Sequence, residues 1–566
     1  MTDRRAQIGA GTIKFDSENR TMPSSSQTRS PESGSSLMCG NSFVAGQFVM
    51  TLLAIAATTV ATLMSSVSGV PQAYLDRREA FIREETSMRL GADLKLNFRE
   101  KLVNHYMMVQ KELAVEASRL TTEPYLASRH FFQVKEEIEK TSIFDIIRMM
   151  PKGGILHLHD ASIVPLDWVI KTLTYLPDLY TKERDEVIPR QFKFSKTPLN
   201  IDEGWENVAR LRAELDQCSF RNTSSQMKHS CNMSLDEIFM SEWTLVTPDP
   251  YNTYKSANDM WNKFSDYFLT IPGLRSSLET AEMYLLKALE GFYEDGVQYV
   301  ELRDGDLFDS NDTDITDDYM RLVERVVKEF QLTHPDFLGI KFILTGYRFF
   351  SEKRMQLQVD RVVERMKKFP DLVKGFDMDS HEDINHRVRF YLKELLKDGN
   401  SILPFFFHAG ETAWTQGADM NLVDAVLLNA TRIGHGFAAL KHPKVMEAIR
   451  EQGIVIEVQP VSNQVLGLVN DMRNHPASHF IANNDKITIS SDDFALWGAL
   501  PLSHDFYMAF MGLGSTKDDL RLLKQLAMNS ISFSTMTQAE KVVAMDKWQR
   551  RWTDFIDEVI TKYHLL

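Results

Sequence analysis

The residues able to do chemistry fall in four short stretches, each an apolar run that ends in histidine or carboxylate. They are Ile155-Leu156-His157-Leu158-His159-Asp160, Pro404-Phe405-Phe406-Phe407-His408-Ala409-Gly410-Glu411-Thr412, Arg432-Ile433-Gly434-His435-Gly436 and Ile489-Ser490-Ser491-Asp492-Asp493. A short apolar run without charge has the composition of a strand buried on both faces. On a strand, His157 and His159 lie two residues apart and project from one face. With His408 and Asp492 they make three imidazoles and a carboxylate, a nitrogen and oxygen donor set that suits zinc. Bound zinc lowers the pKa of its water to about 7 and so provides hydroxide at neutral pH. His435 and Asp493 stand at neighbouring strand ends, placed to orient that water and take its proton. Glu411, on the strand that carries His408, can give a proton to the electrophile. The Cys-x-x-Cys signature of the cytidine-type deaminases does not occur.

These strand ends need a scaffold that gathers them. After Phe144 the chain alternates short apolar runs with helical segments. Eight candidate strands stand out: Ile155–His159, Tyr299–Arg303, Ile340–Thr345, Gly375–Met378, Phe405–His408, Arg432–His435, Ile454–Gln459 and Ile487–Ser491. Eight strand–helix repeats argue for an α/β fold, a (β/α)8 barrel over residues 143–566, with its chemistry at the C-terminal strand ends. Every polar cluster named above falls there. The gap after the first strand, 161–298, holds an insertion whose middle, 178–240, contains Cys218, Cys231 and glycosylation sequons at Asn222 and Asn232. Further sequons occur at Asn311 and Asn429. Ahead of the barrel, residues 71–142 read as helical. Asn97 can cap a helix with Glu100 three residues on, and Leu102, Tyr106, Val109 and Leu113 make one apolar stripe.

At 566 residues, 43% hydrophobic and 25% charged, the composition is that of a globular protein. The net charge of −14 repels phosphate backbones, so a nucleic-acid polymer is not an expected partner. With 3 cysteines, neither a disulfide scaffold nor a four-cysteine zinc site can form. In an exported chain, Cys218 and Cys231 are the pair able to bridge. Residues 1–42 read as a disordered leader. The weakly hydrophobic stretch 43–64, followed by small residues to Gly69, reads as a signal peptide over 43–70, with translation from Met1 or Met38. The alternative is an uncleaved anchor that keeps the catalytic domain outside the cell.

The four stretches, in this order, resemble the motifs of the adenosine deaminase superfamily. Met149–Gly153, Gly291–Asp295, Val461–Leu466 and Leu523–Ser530 are similar to its secreted branch, the adenosine deaminase-related growth factors, over about residues 85–560. The resemblance implies one zinc per chain on His157, His159, His408 and Asp492, and hydrolytic deamination of adenosine. It implies Glu411 as the acid at purine N1, His435 and Asp493 on the attacking water, and Asp160, Trp261 and Phe264 in the nucleoside pocket. A homodimer built by the N-terminal helices follows from it too, with a cell-surface receptor or glycosaminoglycan as further partner. Two positions depart from the pattern: Ser380 replaces a glycine and Tyr347 a histidine, both expected to bear on substrate affinity. The competing expectations are another zinc hydrolase on the same barrel, such as an AMP deaminase, and a catalytically weak glycoprotein ligand of a receptor.

Overall fold

The computed structural model describes residues 70–122, 124–184, 189–218, 233–397 and 403–566. The expected leader, signal or anchor segment, Cys231, Asn222 and Asn232 lie outside the described residues, as does a bridge from Cys218. Among the described residues no helix is long and apolar enough to cross a membrane. The chain divides at Phe81 into two compact units. In the first, the described residues are helical from Gln72, and helix Gln72–Ser87 buries no side chain.

The second unit is built on eight parallel strands: β1 (Gly153–His159), β2 (Val297–Asp304), β3 (Gly339–Tyr347), β4 (Val373–Asp379), β5 (His408–Ala409), β6 (Arg432–His435), β7 (Val455–Val458) and β8 (Ile487–Ile489). They form two four-stranded sheets, β1-β2-β3-β4 and β5-β6-β7-β8. Parallel bridges Phe376–Phe405 and Leu158–Asp492 join the sheets at both edges, which closes the (β/α)8 ring. Every residue of β1, β2, β6, β7 and β8 is buried, as apolar runs flanked by helices require.

The eight strands fall where the apolar runs put them, with one difference. Regular pairing in the fifth begins only at His408, although Phe405–Phe407 lie alongside β6. Thr431 donates to the Phe405 carbonyl and Gly434 to that of Phe407. One strand thus advances three residues while the other advances two, which is a bulge.

Helix Phe98–Leu120 carries the expected Asn97/Glu100 capping box, but the expected stripe is covered only in part: Leu102 and Tyr106 pack partly buried against the core, and the fully buried face lies beside them. Glu100, Val103, Met107 and Lys111 are buried, whereas Val109 and Leu113 are 39% and 44% exposed. Polar anchors override the apolar stripe. Glu100 accepts from Trp552 Nε1 (2.8 Å) and Lys524 Nζ (2.5 Å), while Lys111 Nζ donates to the carbonyls of Phe510 and Asp518. The C-terminal helix Gln538–Lys562 carries Trp552, and its Trp548 donates to the Pro151 carbonyl just ahead of β1. Between β1 and β2, three antiparallel strands, Leu179–Lys182, Gln191–Phe194 and Trp205–Asn207, precede helices Val208–Cys218 and Leu235–Trp243.

Candidate active site

The C-terminal ends of β1, β2, β4, β5 and β6, with the turn after β8, converge on one buried cluster. Four non-glycine residues there have left-handed backbone: Asp304 (φ 74°), Ser380 (109°), His435 (62°) and Asp492 (58°). Such conformations cost about 1–3 kcal/mol each and persist where the surroundings impose them. Gly434 permits the close approach of β6 to β1, since a Cβ there would come 2.8 Å from His157 Cε1.

Three imidazoles are clamped in the same way. His157 Nδ1 lies 2.7 Å from Glu457, His408 Nδ1 2.8 Å from Asp377 and His159 Nδ1 3.1 Å from Asp304. A carboxylate on Nδ1 holds the proton there and turns a bare Nε2 the other way, as metal-ligating histidines require. The Nε2 atoms of His157 and His408 stand 3.0 Å apart, and those of His157 and His159 each lie 3.3 Å from Asp492 Oδ1. That oxygen is buried and accepts no hydrogen bond, while Ser462 donates to Oδ2. Donors of a tetrahedral zinc at 2.0–2.2 Å stand about 3.4 Å apart, so these spacings fit one cation. Among the described residues, side chains able to share a cation form three overlapping groups: His157, His408, His435 and Asp492; His159, Asp379 and His408; His159, Asp492 and Asp493.

Around this centre the acid–base groups are also buried. Glu411 Oε1 has no hydrogen-bond partner and lies 3.4 Å from His435 Nδ1. Burial pushes its carboxyl well above the usual range, and the carboxylates of Asp492, Glu382 and Asp379 add to the shift. Glu382 accepts from the Glu411 N–H (2.8 Å) and so fixes that turn. Asp493 accepts from Ser162 through Oδ1 and leaves Oδ2 buried without a partner. Burial and the neighbouring Asp492 hold it well above the ordinary carboxylate range. His435 is pushed well below the ordinary imidazole value, by burial first.

The expected pocket residues come to the same place. Trp261 and Phe264, on helix Ala257–Thr270, pack edge to face at 5.3 Å. Trp261 stacks flat on His381 at 4.4 Å, and Phe268 on the same helix lies 6.1 Å from His159. Both oxygens of Asp160 accept from Arg275, each at 3.0 Å. Tyr347 donates its phenol to Asp304 Oδ1 (3.1 Å), so it touches the carboxylate that holds His159. The Ser380 N–H donates to Asp379 (2.5 Å), a second carboxylate 3.5 Å from His159 Nδ1. Both departures from the motif pattern therefore act on carboxylates beside His159. Ser380→Gly, by removing the steric conflict at φ 109°, is expected to raise stability by about 1 kcal/mol, read from the midpoint of chemical unfolding.

The sequence profile described as Adenosine deaminase matches residues 242–550, and the Adenosine/AMP deaminase N-terminal profile matches 50–147. Human adenosine deaminase 2 is 39% identical over 498 residues, covering 86% of this chain and 94% of that protein. The chain belongs to the adenosine deaminase family. The adenosine deaminase of Phlebotomus duboscqi is 38% identical over 500 residues, covering 86% of this chain and 93% of its own length. The crystal structure of the Arabidopsis N6-mAMP deaminase superposes with a TM-score of 0.49 at 16% identity, covering 72% of this chain and 99% of that one.

For this adenosine deaminase family member, the motif reading missed the groups that hold the imidazoles. Glu301, Arg303, Asp304, Asp377 and Glu457 are charges set among the apolar residues of three strands, and all are buried. A charge in such a run must be paired, so its position was the available signal. Four of them form a ladder under the histidines with Arg432. Arg303 donates to Asp377 (2.9 Å) and Glu457 (2.6 Å), while Arg432 donates to Glu457 (2.5 Å) and Glu301. Also missed were Asn463 and His475, which back His435. Asn463 Nδ2 lies 2.9 Å from His435 Nδ1, and His475 Nε2 lies 2.9 Å from Asn463 Oδ1.

Burial alone pushes His475 down to about 3 and His130 to about 4. Unfolded histidine titrates near 6.5, so between these values the unfolded chain binds more protons than the folded one. Stability conferred by the two neutral rings is therefore whole above pH about 6.5 and is lost as the pH falls towards 4 and 3. Thermal unfolding followed from pH 7 to 4 is expected to show a falling midpoint; a flat profile would contradict the burial of both rings.

Proposed function

We propose that this chain is a secreted, zinc-dependent deaminase that hydrolyses adenosine, and 2′-deoxyadenosine with it, to the inosine nucleoside and ammonia. The observation that carries the reading is the set of three carboxylate-clamped imidazoles turned towards an unpartnered Asp492 oxygen, beside the Glu411 carboxyl, whose Oε1 is buried without a partner and whose pKa burial raises. His157, His159, His408 and Asp492 would hold zinc, which when bound supplies a water acidic enough to act as hydroxide at neutral pH.

The protein's own residues do the rest. Asp160, Trp261, Phe264, Tyr347 and Ser380 line or support the nucleoside pocket. The Trp261–His381 stack offers a flat face for a purine. Glu411 passes its proton to N1, which drains electron density from C6. The water oxygen forms its bond to C6 while one of its protons goes to the His435 and Asp493 side. That proton then returns to the amino nitrogen, and the C6–N6 bond breaks with its electron pair leaving on ammonia. The remaining hydroxyl proton restores Glu411, which balances the step.

Domain limits at 71–142 and 143–566, with an inserted 178–240 subdomain, belong to the same reading. So do a homodimer through the N-terminal helices, a Cys218–Cys231 bridge and glycans on Asn222, Asn232, Asn311 and Asn429. Asn311 and Asn429 are exposed, as glycan carriers must be. Depletion of extracellular adenosine would give the growth-factor-like effect. Incubating adenosine with purified protein, with and without a chelator, tests the activity. Loss of the adenosine ultraviolet band that the chelator blocks is expected, and an unchanged band in both would overturn the proposal.

A further inference from the structure

The hydrogen bonds behind His435 determine which of its nitrogens carries the proton. One group in this chain of bonds can only donate. The Ala477 N–H donates to His475 Nδ1 at 3.0 Å, so that nitrogen is an acceptor. A neutral imidazole with Nδ1 accepting carries its hydrogen on Nε2. His475 is 1% exposed, with no charged partner at either ring nitrogen to sustain an imidazolium. Its Nε2–H therefore donates to Asn463 Oδ1, 2.9 Å away. This settles the orientation of the Asn463 amide, whose other end is the NH2 group. That NH2 donates to His435 Nδ1 at 2.9 Å. His435 Nδ1 is then an acceptor, and the ring proton sits on Nε2. Nε2 is buried, has no partner in the protein and lies 3.9 Å from Asp492 Oδ2, so it is aimed into the site.

We propose that Asn463 and His475 are positioning residues that lock His435 with its proton on Nε2, so that His435 acts as a hydrogen-bond donor to the attacking oxygen. An imidazole in that form has no lone pair to offer a cation or to take a proton there. This contrasts it with His157, His159 and His408, whose Nδ1 atoms face carboxylates and leave Nε2 bare. The proton released by the attacking water then goes to Asp493, whose Oδ2 is buried with no donor in the protein. The inference rests on the deaminase reading above and divides the labour between two residues that the motif treats together.

Asn463→Asp is the sharp test, because it keeps the shape and inverts the polarity. A carboxylate accepts from His475 Nε2–H and also from His435 Nδ1–H, which moves the His435 proton away from the site. In the holoenzyme, kcat on adenosine is expected to fall at least tenfold with metal content unchanged, since a wrong tautomer disables a hydrolytic site while leaving its geometry intact. A second pair reads the same relay from its far end. His475→Gln retains an N–H that can reach Asn463 and is expected to stay within threefold of the native kcat. His475→Leu removes it and is expected to lose at least fivefold more than the glutamine variant.

Native-like turnover of Asn463→Asp would overturn the inference. So would equal losses in the glutamine and leucine variants, which would mark His475 as a packing residue; that pair decides alone if Asn463→Asp does not fold. Native protein that leaves adenosine untouched would instead overturn the deaminase reading, and this one with it. Active native protein beside an equally active Asn463→Asp would overturn only the tautomer lock.

Discussion

Glu411→Gln is expected to lower kcat by at least about a hundredfold while the metal stays bound, the range expected when a positioned proton donor is removed. Glu411 is not among the clamped donors, and its Oε1 is buried without a hydrogen-bond partner. Burial and three neighbouring carboxylates keep it protonated at pH values where an exposed glutamate is ionised. An amide of the same size fills the site, but its N–H protons are too weakly acidic for one to pass to N1. The sign of the pH dependence follows: the competent form is the acid, so activity is present below the raised pKa of Glu411 and declines as the pH climbs through it. Kinetics and metal analysis on one preparation check the variant. Near-normal turnover would remove Glu411 from the acid role, and loss of metal would place it among the ligands instead.

The second large effect is on stability. Glu457 is fully buried and accepts from Arg303, Arg432 and His157 at 2.6, 2.5 and 2.7 Å. Glu457→Gln keeps the volume and removes the charge, leaving two buried guanidinium groups to share Asp377 and Glu301. Breaking a buried ion pair from one side costs about 3–5 kcal/mol, so a fall of that size in unfolding free energy is expected. Because Glu457 also orients His157, metal affinity should drop about ten- to a hundredfold. Chemical denaturation and metal titration read the two effects separately. A variant with native stability and native affinity would show that the Glu457 charge is needed neither to pair the two guanidinium groups nor to orient His157.

Much of this site is legible from residue order, and the reason is local. His157 and His159 share a strand face because side chains alternate along a strand, and each strand could be recognised by its own short, mostly apolar run. The eight strand positions followed from the same signal. What the sequence leaves hidden is contact across the barrel. Glu457 reads as a flaw in Val455-Ile456-Glu457-Val458 until Arg303 and Arg432, from β2 and β6, arrive beside it. Tyr347 and Ser380 read as substrate contacts, because nothing in their own stretches points to Asp304 and Asp379 as the groups they bond. The fully buried face of helix Phe98–Leu120 lies beside its apolar stripe because Glu100 and Lys111 count as polar in any periodicity, yet both are buried by bonds to residues more than three hundred positions away.

The bridge that closes the ring joins Leu158 to Asp492, and Trp552 reaches back to Glu100. Both link an early part of the chain to a late one, which bears on how the protein is made. At about 5–20 residues per second, roughly 20–70 s separate the synthesis of His157 from that of Asp492. Through that interval β1 has no partner at one edge, and two histidines wait for the carboxylate that completes their site. A nascent barrel of this kind exposes an unpaired strand until translation is nearly over, and an unpaired edge is where a folding chain is open to aggregation. A chain that terminates prematurely anywhere before residue 492 lacks one donor of the site, however well its earlier strands have formed.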